Sequence, residues 1–358
     1  MGQRISSSLS ERFAAMSFLC ACMIVFFHAT PAPDKGSINW WFFHLFGREG
    51  VCCIAVPYFF ACSGYFLAGH YGGDKWWLNE VVKRIKSLVV PFYIWMAVSI
   101  VFGIIVSYVK QWFLHVEVSD AFLSLPHWEK LVLYLGLHPF RDIGVLWYVR
   151  TLFLFVLVSP VIFFFLRWPL ATVCGLCGVH LATCYMFGFC DLDMYFLLDR
   201  FVSVRGGLYF FMGAILRVCC STDVLKLPFR TGVLCFSFGM MLLVVKNWLQ
   251  FSSVVGCDIV VEAISVPFLI SGIWGTFSIP RCLLVYSGCA FPIFLMHNIF
   301  LSCISMALMA VGLRDSMALQ IPIAMFRAGC AVVGAIGITF VIKRFMPRLG
   351  VILFGGRT

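Results

Sequence analysis

The chain has 358 residues, 62% of them hydrophobic and only 12% charged, with a mean hydropathy of +0.99. Soluble domains carry about 25% charged residues, so the balance excludes a soluble enzyme and describes a chain that crosses a bilayer many times. A net charge of +10 would suggest a nucleic-acid partner for a soluble protein; here its distribution follows membrane topology, and no nucleic acid is expected.

The first apolar stretch is Phe13–Thr30, with Arg12 just before it and His28 near its end. At ~1.5 Å per residue, a helix separates Arg12 and His28 by about 24 Å, close to the thickness of a bilayer core. An ionisable side chain on such a helix is a functional candidate; the plainer reading is a terminal imidazole reaching for the interface. Arg4 and Arg12 give the N-terminus the look of a signal peptide, but no small-x-small cleavage site follows, so the stretch reads as an uncleaved first span. Nine further apolar spans follow: Gly50–Ala68, Leu88–Val109, Val145–Leu166, Pro169–Phe189, Gly206–Cys219, Gly232–Leu249, Ile259–Phe277, Cys282–Ala310 and Ile321–Ile342. The expectation is all-α: one polytopic bundle of about ten transmembrane helices over residues 1–358. The sixth span is short and the ninth long for a bilayer. HWEKLVLYLGLHP, in the gap between the third and fourth spans, is amphipathic and suits a surface helix. Trp40-Trp41 and Trp76-Trp77 read as interfacial anchors. There is no internal repeat of the kind many transporters carry.

Placing the N-terminus in the cytoplasm puts fifteen of the 26 Lys/Arg and four of the 16 Asp/Glu on the inner side. This is the positive-inside bias, and it places both termini, Lys83-Arg84-Ile85-Lys86 and Lys343-Arg344 in the cytoplasm. The 17 cysteines are scattered. The adjacent pairs Cys52-Cys53 and Cys219-Cys220 lack metal-ligand spacing, so neither a metal site nor a disulfide framework is indicated.

Ionisable residues at membrane depth are the chemical candidates. Arg150 follows Trp147-Tyr148 in the fourth span, Glu262 opens the eighth, His297 lies in the ninth and Arg327 in the tenth. With His28 they fall in the outer half of the bundle, where one polar cavity shared by several helices would shelter them. The bland alternative is a buried ion pair of Glu262 with Arg327 or Arg150. His180 is a lone imidazole in the fifth span, suited to a hydrogen bond with a neighbouring helix. The cluster of Lys83, Arg84 and Lys86 either meets anionic headgroups or binds a polyanion such as a nucleotide phosphate. No Walker loop or dinucleotide fingerprint is present, which excludes an ordinary ATPase.

In order, AMSFLCACMIVFFHA, AVPYFFACSGYFLAG, KRIKSLVVPFYIW, LWYVRTLFLF and SGCAFPIFLMHNIF resemble acyltransferase family 3, a family of integral membrane acyltransferases. The resemblance runs from the first span to the ninth. It implies about ten helices and transfer of an acyl group, acetyl above all, from cytoplasmic acyl-CoA to a hydroxyl of a cell-surface or periplasmic glycan, in the inner membrane of a bacterium. It implies no permanently bound cofactor, with acyl-CoA as co-substrate and a carbohydrate as acceptor. His28 matches the family's catalytic histidine, Ser63-Gly64 its Ser-Gly pair, His297 its later histidine, and Lys83, Arg84 and Lys86 its basic motif. Eleven residues before the catalytic histidine the family usually has arginine or lysine; here Ser17 stands there, with Arg12 five residues earlier. Eleven residues return a helix to nearly the same face, so Ser17 and His28 are expected to look into one cavity. His28 would act as general base, Trp147 would line the cavity, Arg150, Arg327 or the donors around Ser63-Gly64 would meet the oxyanion, and Arg12 with the basic cluster would hold the donor. The alternative is a glycan or lipid transporter or flippase using the same polar cavity; a signalling or assembly protein with a degenerate site is a third.

Overall fold

The computed structural model describes residues 6–31, 36–47, 50–73, 75–114, 124–137, 144–189, 203–220, 225–251, 257–276, 280–313 and 319–356. Among these residues every regular element is helical: α1 Ser7–Ala29, α2 Ile38–Phe46, α3 Ala55–Ala68, α4 Trp76–Arg84, α5 Val90–Leu114, α6 His127–Tyr134, α7 Leu146–Phe164, α8 Pro169–Phe189, α9 Val204–Val218, α10 Phe229–Phe251, α11 Cys257–Thr276, α12 Arg281–Tyr286, α13 Ala290–Ala310, α14 Gln320–Phe345 and α15 Pro347–Leu353. Short 3₁₀ turns lead into α3 and α13, and a π turn over Ile85–Val89 joins α4 to α5. The apolar spans are helical where described, but the ninth, Cys282–Ala310, divides into α12 and α13 around a 3₁₀ turn, and the second opens on a 3₁₀ turn. Seven helical segments among the described residues are long and apolar enough to cross a membrane, and Pro169–Val179 and Ile264–Thr276 are shorter apolar helices. Large apolar side chains such as Val101, Ile105, Val333 and Val341 point outward from them, which suits helices surrounded by lipid.

In lipid there is no hydrophobic drive between helices, so close packing of small residues has to hold them. The α3–α9 pair shows this. A Cβ on Gly64 would lie 1.9 Å from the Phe210 carbonyl oxygen, and a Cβ on Gly213 would lie 1.9 Å from that of Ala61. Each glycine therefore admits the other helix's backbone. The α10–α11 pair repeats the device with Gly232 against Gly275 and Gly272 against Phe236. α1 lies at the centre, touching α3, α13 and α14, with Met16, Cys20, Ala21 and Val25 buried.

The tryptophan pairs make specific contacts within the bundle. Trp40 is buried in α2, its ring stacked on His44 at 3.9 Å. Trp76 stacks on Phe163 at 5.6 Å, and the Trp77 indole donates to the Val156 and Leu157 carbonyls at 3.2 and 3.1 Å. These rings fasten α4 to α7. α6, within the amphipathic HWEKLVLY stretch, exposes Trp128 and Leu131 and buries Leu133. At the other end of the chain, α15 returns to the bundle: the Trp95 indole donates to the Leu353 carbonyl at 3.0 Å. Gly355, at φ +64°, lies so close to Ser87 that a Cβ would meet the Ser87 carbonyl oxygen at 2.3 Å.

Candidate active site

His28 is the last ionisable residue of α1. Its side chain is exposed rather than packed away, because two cavities open on it. The first, about 470 Å³, is also lined by Phe60, Trp147, Arg205, Tyr209 and Glu262. The second, about 290 Å³, is lined by Lys110, Asn298, Ser302, Ser305 and Arg327. Behind His28 stands His297 of α13, fully buried, with ring centroids 5.1 Å apart. His297 Nδ1 lies 3.2 Å from the Ile293 carbonyl oxygen. A carbonyl only accepts, so this bond places the proton on Nδ1 and leaves Nε2 of a neutral ring as an acceptor. Nε2 has no hydrogen-bond partner among the described residues.

Glu262 is held by two cations, Arg205 and Lys246. Lys246 is 1% exposed, and its ammonium would be costly to bury without the carboxylate. The expected partners Arg327 and Arg150 are elsewhere. Arg327 donates from Nη1 to the Ala29 carbonyl at 3.1 Å, one residue beyond His28, and Arg150 donates to the Gly136 carbonyl, tying α7 to the turn after α6. These charges thus divide between two cavities and a structural tie instead of sharing one cavity. Arg205 belongs to the first turn of α9, which Ser203 caps through the Gly206 amide at 3.0 Å. Ser203 itself takes the left-handed region at φ +35°, a conformation of the kind that persists only where its surroundings hold it.

A third cavity, about 610 Å³, lies further toward the start of α1. Ser17, Ser63, His70, Lys83, Arg84 and Tyr148 are among its lining residues. The buried carboxylate of Glu80 gathers Lys83 and Arg84 at its edge, 3.5 and 3.4 Å away, and His70 Nδ1 lies 3.5 Å from it. Lys86 is exposed and outside the lining. Arg12 also lies outside it, with its guanidinium 5.6 Å from the Trp274 ring centroid, a cation–π distance. Ser17 turns its hydroxyl back on its own helix, donating to the Phe13 carbonyl at 2.8 Å. It therefore contributes space rather than charge, and the cations come from α4.

Ser17 and His28 do not share a cavity. Aromatic rings stand between them: Phe59 and Tyr148 line the cavity of Ser17, while their chain neighbours Phe60 and Trp147 line that of His28. Phe60 meets Tyr148 edge-on at 4.8 Å, and Tyr148 meets Phe294 at 5.5 Å. Helical periodicity places two residues on one face but says nothing of side chains that other helices insert between them. Ser63 and Gly64 also part: Ser63 lines the cavity, while Gly64 is taken up by its contact with α9. The side chain of His180 lies outside the described residues.

Sequence reading passed over Arg205, Lys246, Tyr209, Glu80 and Lys110. Lys246 carried a usable signal, since a lysine inside an apolar span needs a partner. Arg205 sat in a connection between spans and carried none. No curated protein and no solved structure matches the chain. A family model of the acyltransferase domain matches residues 15–344, and with almost the whole chain covered the protein belongs to acyltransferase family 3.

Proposed function

We propose that the protein is a membrane O-acyltransferase that moves an acyl group, acetyl in the simplest case, from cytoplasmic acyl-CoA to a hydroxyl of a cell-envelope glycan. Family membership supports the reaction class. The observation that carries the reading is the arrangement along α1: a cation-edged cavity at Ser17 and a polar cavity at His28, separated by one aromatic layer.

In this reading Lys83 and Arg84 hold the CoA phosphates at the edge of the 610 Å³ cavity, by charge-assisted hydrogen bonds. The pantetheine arm extends past Tyr148 and Phe60, which must turn aside to admit it. The acceptor sugar lies against Trp147 and Phe60, whose faces suit the apolar side of a pyranose. His28 takes the proton from the acceptor hydroxyl as its oxygen attacks the thioester carbonyl. A C–O bond forms, the carbonyl π pair moves to oxygen, and Arg205 meets that negative charge. The C–S bond then breaks, and the CoA thiolate receives the proton from the His28 imidazolium. The Arg205–Lys246–Glu262 group keeps one net positive charge, so the cavity favours the oxyanion over the neutral ground state.

Two cavities on either side of an aromatic layer would also serve a glycan or lipid flippase. Purified protein in lipid nanodiscs, given radiolabelled acetyl-CoA and an oligosaccharide acceptor, separates the readings. Label in the sugar, or thioester hydrolysis when the sugar is omitted, is expected of a transferase. Intact acetyl-CoA in both reactions would sink it.

A further inference from the structure

His297 is a buried imidazole that the acyl transfer proposed above does not use. It is fully enclosed in α13, and its Nδ1 proton goes to the Ile293 carbonyl one turn earlier at 3.2 Å. That bond leaves Nε2 as a lone-pair acceptor. Nε2 has no hydrogen-bond partner among the described residues. An acceptor left unpaired in a dry interior is costly and calls for a functional account.

Two rings pack on His297: Phe294, with centroids 6.2 Å apart, and His28, at 5.1 Å. Phe294 has no donor, whereas a neutral His28 carries an N–H in either tautomer. Two imidazoles joined edge to edge by an N–H···N bond of roughly 3 Å have centroids roughly 5 Å apart. The observed separation therefore suits such a bond. Half a turn of the His28 ring about its Cβ–Cγ bond exchanges each nitrogen for a carbon, so a nitrogen can meet His297 without movement of the backbone. The two helices hold that distance, because α1 packs against α13 with Val25 and Ala29 buried on one side and Ile293 and Phe294 on the other.

We infer that His297 is a positioning residue for His28: its Nε2 accepts the N–H of one His28 nitrogen and keeps the other bare for the acceptor hydroxyl. The inference rests on the acyltransferase reading for the reaction the pair serves, and on the two rings alone for the pairing. A histidine base needs one bare nitrogen, and the partner of the other nitrogen decides which one it is. A carboxylate does this in the serine-protease triad; here a neutral imidazole takes that place. His28 receives the hydroxyl proton at its bare nitrogen and gives it from the same nitrogen to the CoA thiolate. The proton shared with His297 stays on His28 throughout. While His28 is an imidazolium that bond is charge-assisted and stronger, so His297 favours the transition state over the resting state.

Two readouts test this, one of them without turnover. Full-length protein in lipid nanodiscs is prepared with nitrogen-labelled histidine, and the His28 signals are assigned by their loss in His28→Ala. Nitrogen NMR is expected to show one His28 nitrogen protonated and the other bare. His297→Leu is expected to let both tautomers populate. His297→Gln, whose amide oxygen reaches the place of Nε2, is expected to restore a single one. In acetyl transfer, His297→Leu is expected to lower kcat about 10–100-fold, the worth of one hydrogen bond to a charged group, with KM for acetyl-CoA unchanged, and His297→Gln to recover most of the rate. A His28 tautomer ratio that is the same in wild type and His297→Leu overturns the inference and leaves Nε2 to a buried water. Wild-type kcat in folded His297→Leu overturns it as well. If His297→Leu does not fold, His297→Gln decides: a single tautomer with near-normal kcat supports the pairing, and mixed tautomers overturn it. A His28 tautomer that depends on His297 in protein that transfers no acetyl group would instead remove the proposed reaction and leave the pair standing.

Discussion

His28 and Glu262 are both ionisable residues on membrane helices, yet their surroundings ask different things of them. His28 is exposed to two cavities and touches another imidazole, a setting in which a proton can be taken up and passed on. His28→Ala is expected to lower acyl transfer about 10²–10⁴-fold, the usual worth of a positioned base, with acetyl-CoA affinity retained. Near-normal transfer, measured on equal amounts of folded protein, would falsify its role. Glu262 instead balances a lysine that is 1% exposed. Glu262→Gln leaves that ammonium buried with one charge fewer beside it, which should cost about 3–5 kcal/mol and show as a lowered unfolding temperature in detergent. Arg205→Gln should be milder, because Arg205 is 35% exposed and water compensates part of the loss.

Among the elements, α4 and the α3–α9 pair make the sharpest claims. α4 carries Glu80, Lys83 and Arg84 on adjoining turns, so one helix both supplies the cations and fixes them. Replacing Lys83 and Arg84 together by Gln should weaken acetyl-CoA binding by about 1.5–3 kcal/mol for each charge-assisted hydrogen bond removed. Lys86→Gln should leave it unchanged, because Lys86 is exposed and outside the cavity lining. If all three substitutions weaken binding alike, long-range potential rather than direct hydrogen bonding holds the donor. The glycines of α3 and α9 answer to packing alone. Gly64→Ala or Gly213→Ala forces a methyl group against a carbonyl 1.9 Å away, and separating the helices should cost about 1–3 kcal/mol or more. The double substitution should cost less than the sum, since the first already moves the same interface apart. Unfolding temperatures of the four proteins in one detergent decide it; strict additivity would mean that the two glycines act independently.

For the molecule as a whole, the positive-inside bias is the ground for the proposed orientation, in which the Ser17 cavity would face the cytoplasm. Single cysteines on a Cys-depleted background test this orientation. Lys75 and Leu313 are suitable positions, both exposed on connections at opposite ends of the proposed topology. Glu80 is not suitable, because it is buried and pairs with Lys83 and Arg84. Lys75→Cys should react with an impermeant maleimide only after the membrane is opened, and Leu313→Cys before. The reverse pattern would put the basic cavity outside and remove the donor site with it.

Composition and order of apolar runs were enough to make this a helical membrane bundle, because lipid leaves a spanning chain few options besides satisfying its backbone within each helix. The described parts of the apolar runs are helical, seven segments among them long and apolar enough to span, and the motifs that resembled acyltransferase family 3 belong to a match covering residues 15–344. The sequence also brought forward His28 as an ionisable residue inside an apolar run and Lys83 and Arg84 as a basic cluster beside one, while Ser17 came forward only through the resemblance to the family, whose basic residue it replaces. It could not say which of them share a space. That Glu262 faces Arg205 and Lys246 instead of Arg327, that Gly64 packs while Ser63 lines a cavity, and that aromatic rings divide Ser17 from His28 were settled by how separate helices meet. Periodicity fixes directions around one helix axis; the side chain that arrives from another helix is set by tertiary packing, and in this protein that packing divides the polar interior into separate cavities.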